Sequence, residues 1–500
     1  MVIPKEVKSI ILKLQKSGLP AGGQGFGAYI VGGCVRDFLL DIPPKDWDVT
    51  TNAKPEEIQK VFPDSFYENN FLTVTARTKS KKSELAEIEI TTYRLEAKYS
   101  DKRHPDQVKY AKKLEDDLSR RDFTINAMAM DSKKKIVDLF NGQEDLKNKI
   151  IRTVGNPEER FNEDALRMLR AVRFTTTLSD FSAQGGPASG WKIEERTAQA
   201  IKKNSIWLEA ISKERIRDEF VKIIMADRAM EGVELLRELG LLKYIIPELL
   251  ENYGVPQNKH HIFDCYQHAI KSLEYAAKKK FNIYVRLAAL LHDIAKSRIK
   301  AGENEEATFY NHEIVGARMC FQILNNLKLP KKDVEKITKL VRYHMFYYDV
   351  DQVGEASVRR LIKNVGPENI GELLQVRLAD RIGSGVPKAE PYKLRHFKYL
   401  VDKVSKDPIS VKMLKINGND LMSILKIKPG AKIGWILDVF LGYVLDDPQK
   451  NNKEFLEKEA VKLGELSDQE LQKMAEKSEE EKEVVETKND EITKAKYWVK

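Results

Sequence analysis

Cysteine is scarce. Three residues in 500, Cys34, Cys265 and Cys320, stand far apart, which excludes a disulfide framework and a cysteine-built zinc site. Long apolar runs are missing too. None approaches the roughly 18 residues that a membrane-spanning helix requires, and the most apolar stretch, 435–445, is interrupted by Asp438. No signal-peptide pattern opens the chain, so the expectation is a soluble, non-secreted protein of the cytoplasm. There is no internal repeat. A dinucleotide fingerprint is also absent: Gly22-Gly23-Gln24-Gly25 precedes a β-like run, whereas a Rossmann glycine turn follows its strand. Acidic residues are in deficit, with 76 Asp and Glu against 85 Lys and Arg. Residues 465–500 hold eleven acidic and seven basic side chains, which leaves about +13 on residues 1–464. A basic body suits a polyanionic partner. A general surplus of surface lysine explains it equally well.

What is present is a chain long enough for about three or four domains, with one change of pattern. Residues 1–20 read as an amphipathic helix. Residues 28–155 alternate short β-like runs with helices and form a mixed α/β head. From 156 to 460 the periodicity is almost wholly helical, so the fold class is α+β. Residues 182–190, with Gly185-Gly186-Pro187, read as a loop inserted between helices. Residues 465–500 are charged and poor in apolar residues, the pattern of a solvated helix or a disordered tail.

The chemistry begins at Asp46-Trp47-Asp48, thirteen residues after the diglycine of Val31-Gly32-Gly33-Cys34-Val35-Arg36-Asp37. In a strand, residues two apart share a side. Asp46 and Asp48 would present two carboxylates together, with Trp47 turned into the core. Adjacent carboxylates repel unless a cation such as Mg²⁺ or Mn²⁺ joins them. Gly32 and Gly33 allow a phosphate close to the backbone, and Arg36 can fork onto it. Phosphate plus carboxylate-held metal means phosphoryl or nucleotidyl transfer.

The stretch 32–51 resembles the head of class II nucleotidyltransferases, the tRNA CCA-adding enzymes and bacterial poly(A) polymerases, and further motifs follow over residues 25–460. The resemblance implies that Asp46 and Asp48 bind two Mg²⁺ ions and that a third carboxylate comes from a later strand. Glu89 in Glu89-Ile90-Thr91-Thr92-Tyr93-Arg94 fits; Glu87 shares its face and stays an alternative. It also implies a domain order: nucleotidyltransferase head 1–155, base-recognising neck 156–225, helical body 226–395, tRNA-binding tail 396–464 and charged tail 465–500. The block Arg120-Arg121-Asp122-Phe123-Thr124-Ile125-Asn126-Ala127 matches the family motif for ribose and triphosphate. Physically, Arg121 can neutralise phosphate and Asp122 can accept from a sugar hydroxyl; an ordinary salt-bridged helix start is the plain alternative.

Residues 159–174 read as one helix in which Asp164 and Arg167 are neighbours. In the family this pair imitates a template base. The carboxylate accepts from the amino group of cytosine or adenine, and the guanidinium donates to the adjacent ring nitrogen. Uracil and guanine present the inverse pattern and would leave polar groups unpaired. Without the resemblance the pair is a plain salt bridge. Arg170 and Arg173 continue the row and are expected to meet phosphate or support the pocket. Segment 94–113, including Tyr99-Ser100-Asp101-Lys102-Arg103-His104-Pro105, is charged and weakly patterned, hence a loop. In the family such a loop switches the pocket from CTP to ATP.

The helical half holds His268, then Leu290-Leu291-His292-Asp293-Ile294-Ala295-Lys296, then His312, His344 and Asp380. The order resembles the His-Asp metal-dependent phosphohydrolases. His268, His292, Asp293 and Asp380 are the expected ligands, with His260 and His261 as alternatives to His268. Imidazole with carboxylate suits a transition metal such as Ni²⁺ or Mn²⁺. A structural site that keeps its ligands without activity is the alternative. Lysines and glycines in 413–434 resemble the family's tRNA-binding tail. The expected partners are CTP, ATP and the tRNA 3′ end with its acceptor stem and elbow, and no membrane. A poly(A) polymerase would place a very basic segment shortly after the aspartates, where this chain has Pro63-Asp64-Ser65-Phe66-Tyr67-Glu68-Asn69-Asn70. A phosphohydrolase whose head only binds RNA is the reading from another class, and the intact head carboxylates argue against it.

Overall fold

Period-two alternation builds the strands of the head. In Glu87–Thr92 the side chains of Glu87 and Glu89 face solvent while Ile88 and Ile90 are fully inside. The strands in chain order are β1 (Ala28–Val31), β2 (Asp48–Thr51), β3 (Ser65–Glu68), β4 (Thr73–Arg77), β5 (Glu87–Thr92), β6 (Arg94–Ala97), β7 (Gln107–Tyr110), β8 (Met128–Met130) and β9 (Ile136–Asp138). Seven of them form one sheet in the order β3-β4-β5-β2-β1-β8-β9. Every neighbouring pair is antiparallel except β2 with β5, which run parallel with Asp48 opposite Glu89. The computed structural model describes residues 1–17, 25–68, 73–97, 107–178, 190–257, 262–302, 306–350, 352–386, 390–405 and 411–499. Tyr99 to Pro105, Ser182 to Ala188, Gly22 to Gln24, His260 and His261 lie outside the described residues.

The helix Lys5–Lys16 buries Val7, Ile10, Ile11 and Leu14 on one stripe against the sheet. The described parts of 94–113 carry regular structure where the sequence suggested a loop. Its arms, β6 and β7, pair from Arg94 opposite Tyr110 to Ala97 opposite Gln107. The helix expected over 159–174 is corrected to two, Pro157–Glu163 and Leu166–Thr177. Asp164 between them is extended, with φ −144° and ψ 103°. Its carboxylate accepts from the backbone N–H of Leu166 at 3.1 Å, so it caps the second helix instead of continuing the first.

Two compact units make up the chain: 1–345 with 372–387, and 346–371 with 388–500. In the first unit, Ile283–Leu291 is buried on nearly all sides. Its Arg286 is 2 % exposed and donates to the carbonyls of Phe281, Ile224 and Ala226 at 2.8–2.9 Å, which satisfies a charge inside the core. In the second unit, Gly418–Leu425 starts with a reciprocal cap between Asn417 and Asp420, and Ala431–Asp446 supplies Ile436, Val439 and Phe440 to a core. Of the two expectations for 465–500, a solvated helix or a disordered tail, the helix is what forms and the disordered tail is corrected. Asp468–Tyr497 is a 30-residue helix capped by Ser467, and it buries Leu471 and Ala475 in that core. Lys496 to Asp402 at 2.7 Å and a Tyr399–Asp490 hydrogen bond tie its far end. Among the described residues, no helix is long and apolar enough to cross a membrane.

Candidate functional site

Strand β1 ends at Val31, and the chain turns through Gly32 at φ +83° into the helix Gly33–Leu39. That conformation favours glycine. A Cβ at Gly32 would stand 2.7 Å from Arg121 Nη1 and 3.9 Å from Asp48 Oδ2. Glycine here lets a guanidinium and a carboxylate close on the same turn.

Asp48 opens β2, directly opposite Glu89 on β5. Asp46 is corrected to an exposed bend before the strand, since the ladder to β1 and β5 begins only at Asp48. Trp47 is 5 % exposed, so the chain still turns the indole inward. Burial and then the charge of Asp46 push the Asp48 carboxyl up to about 6, with Arg121 opposing and Glu89 adding. Glu89 is raised by burial, Glu68 and Asp46. Glu87 lies 3.5 Å from Arg77 instead. Massed carboxylates of raised pKa fit a divalent cation with oxygen ligands.

The arginines are mostly committed. Arg36 donates to Asp37 at 2.8 Å and to Asn126 at 2.7 Å and stacks over the Phe174 ring at 5.2 Å, so it fastens the helix Gly33–Leu39 to Leu166–Thr177. Asp117 is fully buried and lies 2.8 Å from Arg120 and 3.5 Å from Arg121. Burial opposes its ionisation, but the two guanidiniums hold it below the usual carboxylate range. The sequence reading missed Asp117, although its i,i+3 and i,i+4 spacing to the arginines was visible. Asp122 accepts from Asn126 at 3.1 Å and from Phe123 N–H at 2.8 Å, and Arg170 lies 2.6 Å away. Burial again opposes ionisation, and Arg170 overrides it, holding Asp122 well below the ordinary range. Arg173 pairs with Glu219 at 2.6 Å and covers the Phe174 ring.

Asp164 and Arg167 do not pair with each other. Arg215 donates to both oxygens of Asp164, at 2.8 and 3.3 Å. Arg167 pairs with Glu163 at 2.5 Å and donates to the carbonyls of Arg160 and Arg120 at 3.0 and 3.2 Å. The separation follows from the helix break. Arg215 and Glu163 both escaped the sequence reading, the first because nothing local links it to a residue 51 positions away.

A second constellation gathers in the helical part of the same unit. Cys265–Lys278 supplies His268, the end of Ile283–Leu291 supplies His292 and Asp293, and Ile370–Gly383 supplies Asp380. His268 Nε2 and His292 Nε2 are 2.9 Å apart. Asp293 Oδ2 lies 3.2 and 3.3 Å from them, and Asp380 Oδ1 3.4 and 3.6 Å. His312, opening His312–Asn326, and His344, ending Lys331–Tyr343, join with Nε2 atoms 3.2 Å apart. Burial opposes ionisation of Asp293 and Asp380. For Asp293, His292 and Lys296 override it, and for Asp380 Arg377 does, so both stay well below the ordinary range. Burial pushes His344 down to about 4, toward the neutral, metal-binding form. Lys296 and Arg377 were missed, though each stands three residues from its aspartate. Asp293, Lys296, His312, His344, Arg377 and Asp380 line a cavity of about 490 Å³, while His268 and His292 are fully buried and do not line it.

Residues 28–152 match the Poly A polymerase head domain, residues 190–252 the probable RNA and SrmB- binding site of polymerase A, and residues 261–384 the HD domain. The chain is 34% identical over 470 residues to the CCA-adding enzyme of Ligilactobacillus salivarius, covering 92% of this chain and 98% of that one. It is 33% identical over 339 residues to the A-adding tRNA nucleotidyltransferase of Deinococcus radiodurans, covering 65% and 74%. Among solved structures it is similar to the Bacillus stearothermophilus CCA-adding enzyme in complex with CTP. That likeness has a TM-score of 0.57, 27% identity, and coverage of 92% of this chain and 96% of that one.

Proposed function

The chain belongs to the family of CCA-adding enzymes, which are tRNA nucleotidyltransferases, and on that premise we propose how its residues build the 3′-terminal CCA from CTP and ATP. The observation that carries the proposal is the acidic set of the head: Asp48 faces Glu89 across the parallel pair, with Asp46 beside them. These three carboxylates are assigned to divalent ions, specifically Mg²⁺. When bound, such ions supply Lewis acidity to the α-phosphate and charge neutralisation to the triphosphate.

The rest belongs to the chain's own side chains. The turn at Gly32 and Gly33 gives phosphate room beside Arg121. Arg36 anchors that turn through Asn126 and Phe174. Asp122, held ionised by Arg170, orients the sugar, and Arg173 buttresses the wall through Phe174. Asp164 accepts from the amino group of cytosine or adenine, and Arg167 donates to the neighbouring ring nitrogen. In the transfer, the tRNA 3′-oxygen bonds to the α-phosphorus, the bond to pyrophosphate breaks so that pyrophosphate leaves with the electron pair, and the hydroxyl proton passes to solvent water. The reaction is placed in the cytoplasm.

The test is to incubate the purified chain with tRNA lacking its terminus and with CTP, ATP or both, then sequence the ends. CC with CTP alone and CCA with both nucleotides are expected. Addition of A only to ends already carrying CC would make the chain an A-adding enzyme, and a long A tract would make it a poly(A) polymerase. Asp46→Ala or Asp48→Ala should abolish addition with folding retained; normal addition by either would overturn the metal assignment.

The clustering of His268, His292, Asp293 and Asp380 favours a second reading for the cavity over them, a phosphohydrolase using one Ni²⁺ or Mn²⁺ ion. Hydrolysis of a 2′,3′-cyclic nucleotide with either metal, lost in His292→Ala while CCA addition persists, is the expected result. Normal CCA addition without hydrolysis under any of these metals would reduce the cluster to a structural role.

A further inference from the structure

We infer that Phe174 is a positioning residue for base choice, and that the π face of its ring, more than its bulk, does the positioning. The inference rests on the preceding assignment of Asp164 and Arg167 to the base. It follows from what surrounds the ring. The guanidinium carbons of Arg173, Arg36 and Arg170 lie 4.1, 5.2 and 5.7 Å from its centroid, and the side chain is buried. An aromatic face is negative and attracts cations within about 6 Å, more strongly where water is excluded. Like charges crowded this closely repel unless something negative stands among them. Each guanidinium has its own carboxylate: Arg36 lies 2.7 Å from Asp37, Arg170 2.6 Å from Asp122 and Arg173 2.6 Å from Glu219. The ring is shared by all three.

The groups gathered here come from separate parts of the chain. Arg36 lies on Gly33–Leu39, just after the phosphate turn. Phe123 follows Asp122, the residue assigned to the sugar. It meets Phe174 edge to face at 5.6 Å and 84°, which fixes the plane of the ring. Arg170, Arg173 and Phe174 itself belong to Leu166–Thr177. Glu219 sits on Lys213–Met225, one turn after the Arg215 that grips Asp164. Phe174 is seven residues beyond Arg167 on the same face of its helix, two turns or about 10 Å along the axis. The ring therefore clamps the far end of the helix whose near end carries the base-reading pair.

The consequence is selectivity. Arg121 and Asp122 hold the triphosphate and the sugar from the head, while Asp164 and Arg167 hold the base from the helix. Cytosine or adenine keeps its hydrogen bonds only while both sides stay in register, and misplacement by about 1 Å costs about a hundredfold in rate. Uracil has no matched bonds to lose. A slackened ring contact therefore lowers kcat/KM for the correct base and leaves that for the wrong base nearly unchanged. An aliphatic side chain of similar volume fills the space but offers the three guanidiniums no negative face. Burial pulls the Arg173 pKa down, Glu219 opposes, and Arg170 and Arg36 add to the fall, as expected of cations held together.

The test replaces Phe174 in the full chain with mono-, di- and trifluorinated phenylalanine by stop-codon suppression. Fluorine withdraws π density stepwise, adds little volume and keeps the ring apolar. Rates with CTP and with UTP on tRNA lacking its terminus are resolved into kcat and KM, with melting curves alongside. The logarithm of the CTP-over-UTP ratio of kcat/KM should fall in proportion to the fluorine count, by about five- to thirtyfold in total. The fall should come through kcat for CTP, with the melting temperature held. Phe174→Leu should lose at least as much. A flat series with normal CCA addition, or one that follows the melting temperature, would reduce Phe174 to packing and leave the assignment of Asp164 and Arg167 standing. A wild-type chain with no preference for CTP over UTP would overturn that assignment and this inference together. The fluorinated series decides the matter even where Phe174→Leu fails to fold.

Discussion

Asp48 carries the energetic signature of the head. Its carboxyl is raised to about 6 by burial and by Asp46, so in metal-free protein its ionisation opposes folding. Any stability it lends is complete below the ordinary carboxylate pKa and is lost as pH rises through about 6, a loss of at most about 3 kcal/mol. Melting curves in chelator at pH 4.5 and 7.5 should therefore show a larger fall for the wild-type chain than for Asp48→Asn, and Mg²⁺ should restore the difference at pH 7.5. Equal falls would mean that the carboxylates do not burden one another. Arg215 bears on base choice in the same local way. It holds both oxygens of Asp164, so Arg215→Ala should let that carboxylate swing. Misincorporation of UTP and GTP should then rise about tenfold or more, the worth of a charged hydrogen bond, while CTP and ATP are still used. Unchanged nucleotide preference would detach Arg215 from the pocket.

Elements show how far local pattern reaches. The alternation in Glu87-Ile88-Glu89-Ile90 made the shared face of Glu87 and Glu89 legible, but the choice of Glu89 came from the family resemblance, and the parallel register that sets Asp48 opposite it is a non-local pairing. The histidine cluster was legible too, because His292-Asp293 sits in an apolar helix run and the other ligands keep a family-like order. The break at Asp164 was not, since helical periodicity continues across it and only the side-chain cap on Leu166 reveals it. Nor were the pairings Asp122–Arg170 and Asp164–Arg215, which join residues 48 and 51 positions apart. In the tail the solvated helix was legible from composition, but its docking was not, because its charges face water and few apolar residues suffice to hold it. Leu471→Ala on the helix Asp468–Tyr497 should destabilise the second unit by about 2–5 kcal/mol. Denaturant titration checks this, and a change below about 0.5 kcal/mol would mean that the helix is not packed in solution.

On the scale of the whole molecule, the first unit carries both constellations, one of oxygen donors and one of nitrogen and oxygen donors. The excess of about +13 on residues 1–464 predicts that tRNA affinity falls with salt, each phosphate contact adding about 0.7–0.9 to the slope of log K against log salt. Fluorescence titration at several salt concentrations measures it, and a flat response would reduce the lysine excess to a solubility feature. The order of the sheet has one more consequence. Strands β2 and β5 are neighbours, yet β3 and β4 are made between them, and Thr50 meets Thr91 across 41 positions. At about 5–20 residues per second a ribosome takes about two to eight seconds to cover that interval. During it the nascent head displays Asp46 and Asp48 on a sheet with no partner for that side of β2. Completion of the proposed cation site is thus a late step in the birth of the head, and a chain stopped short of Glu89 would carry the Asp-Trp-Asp signature without the third carboxylate.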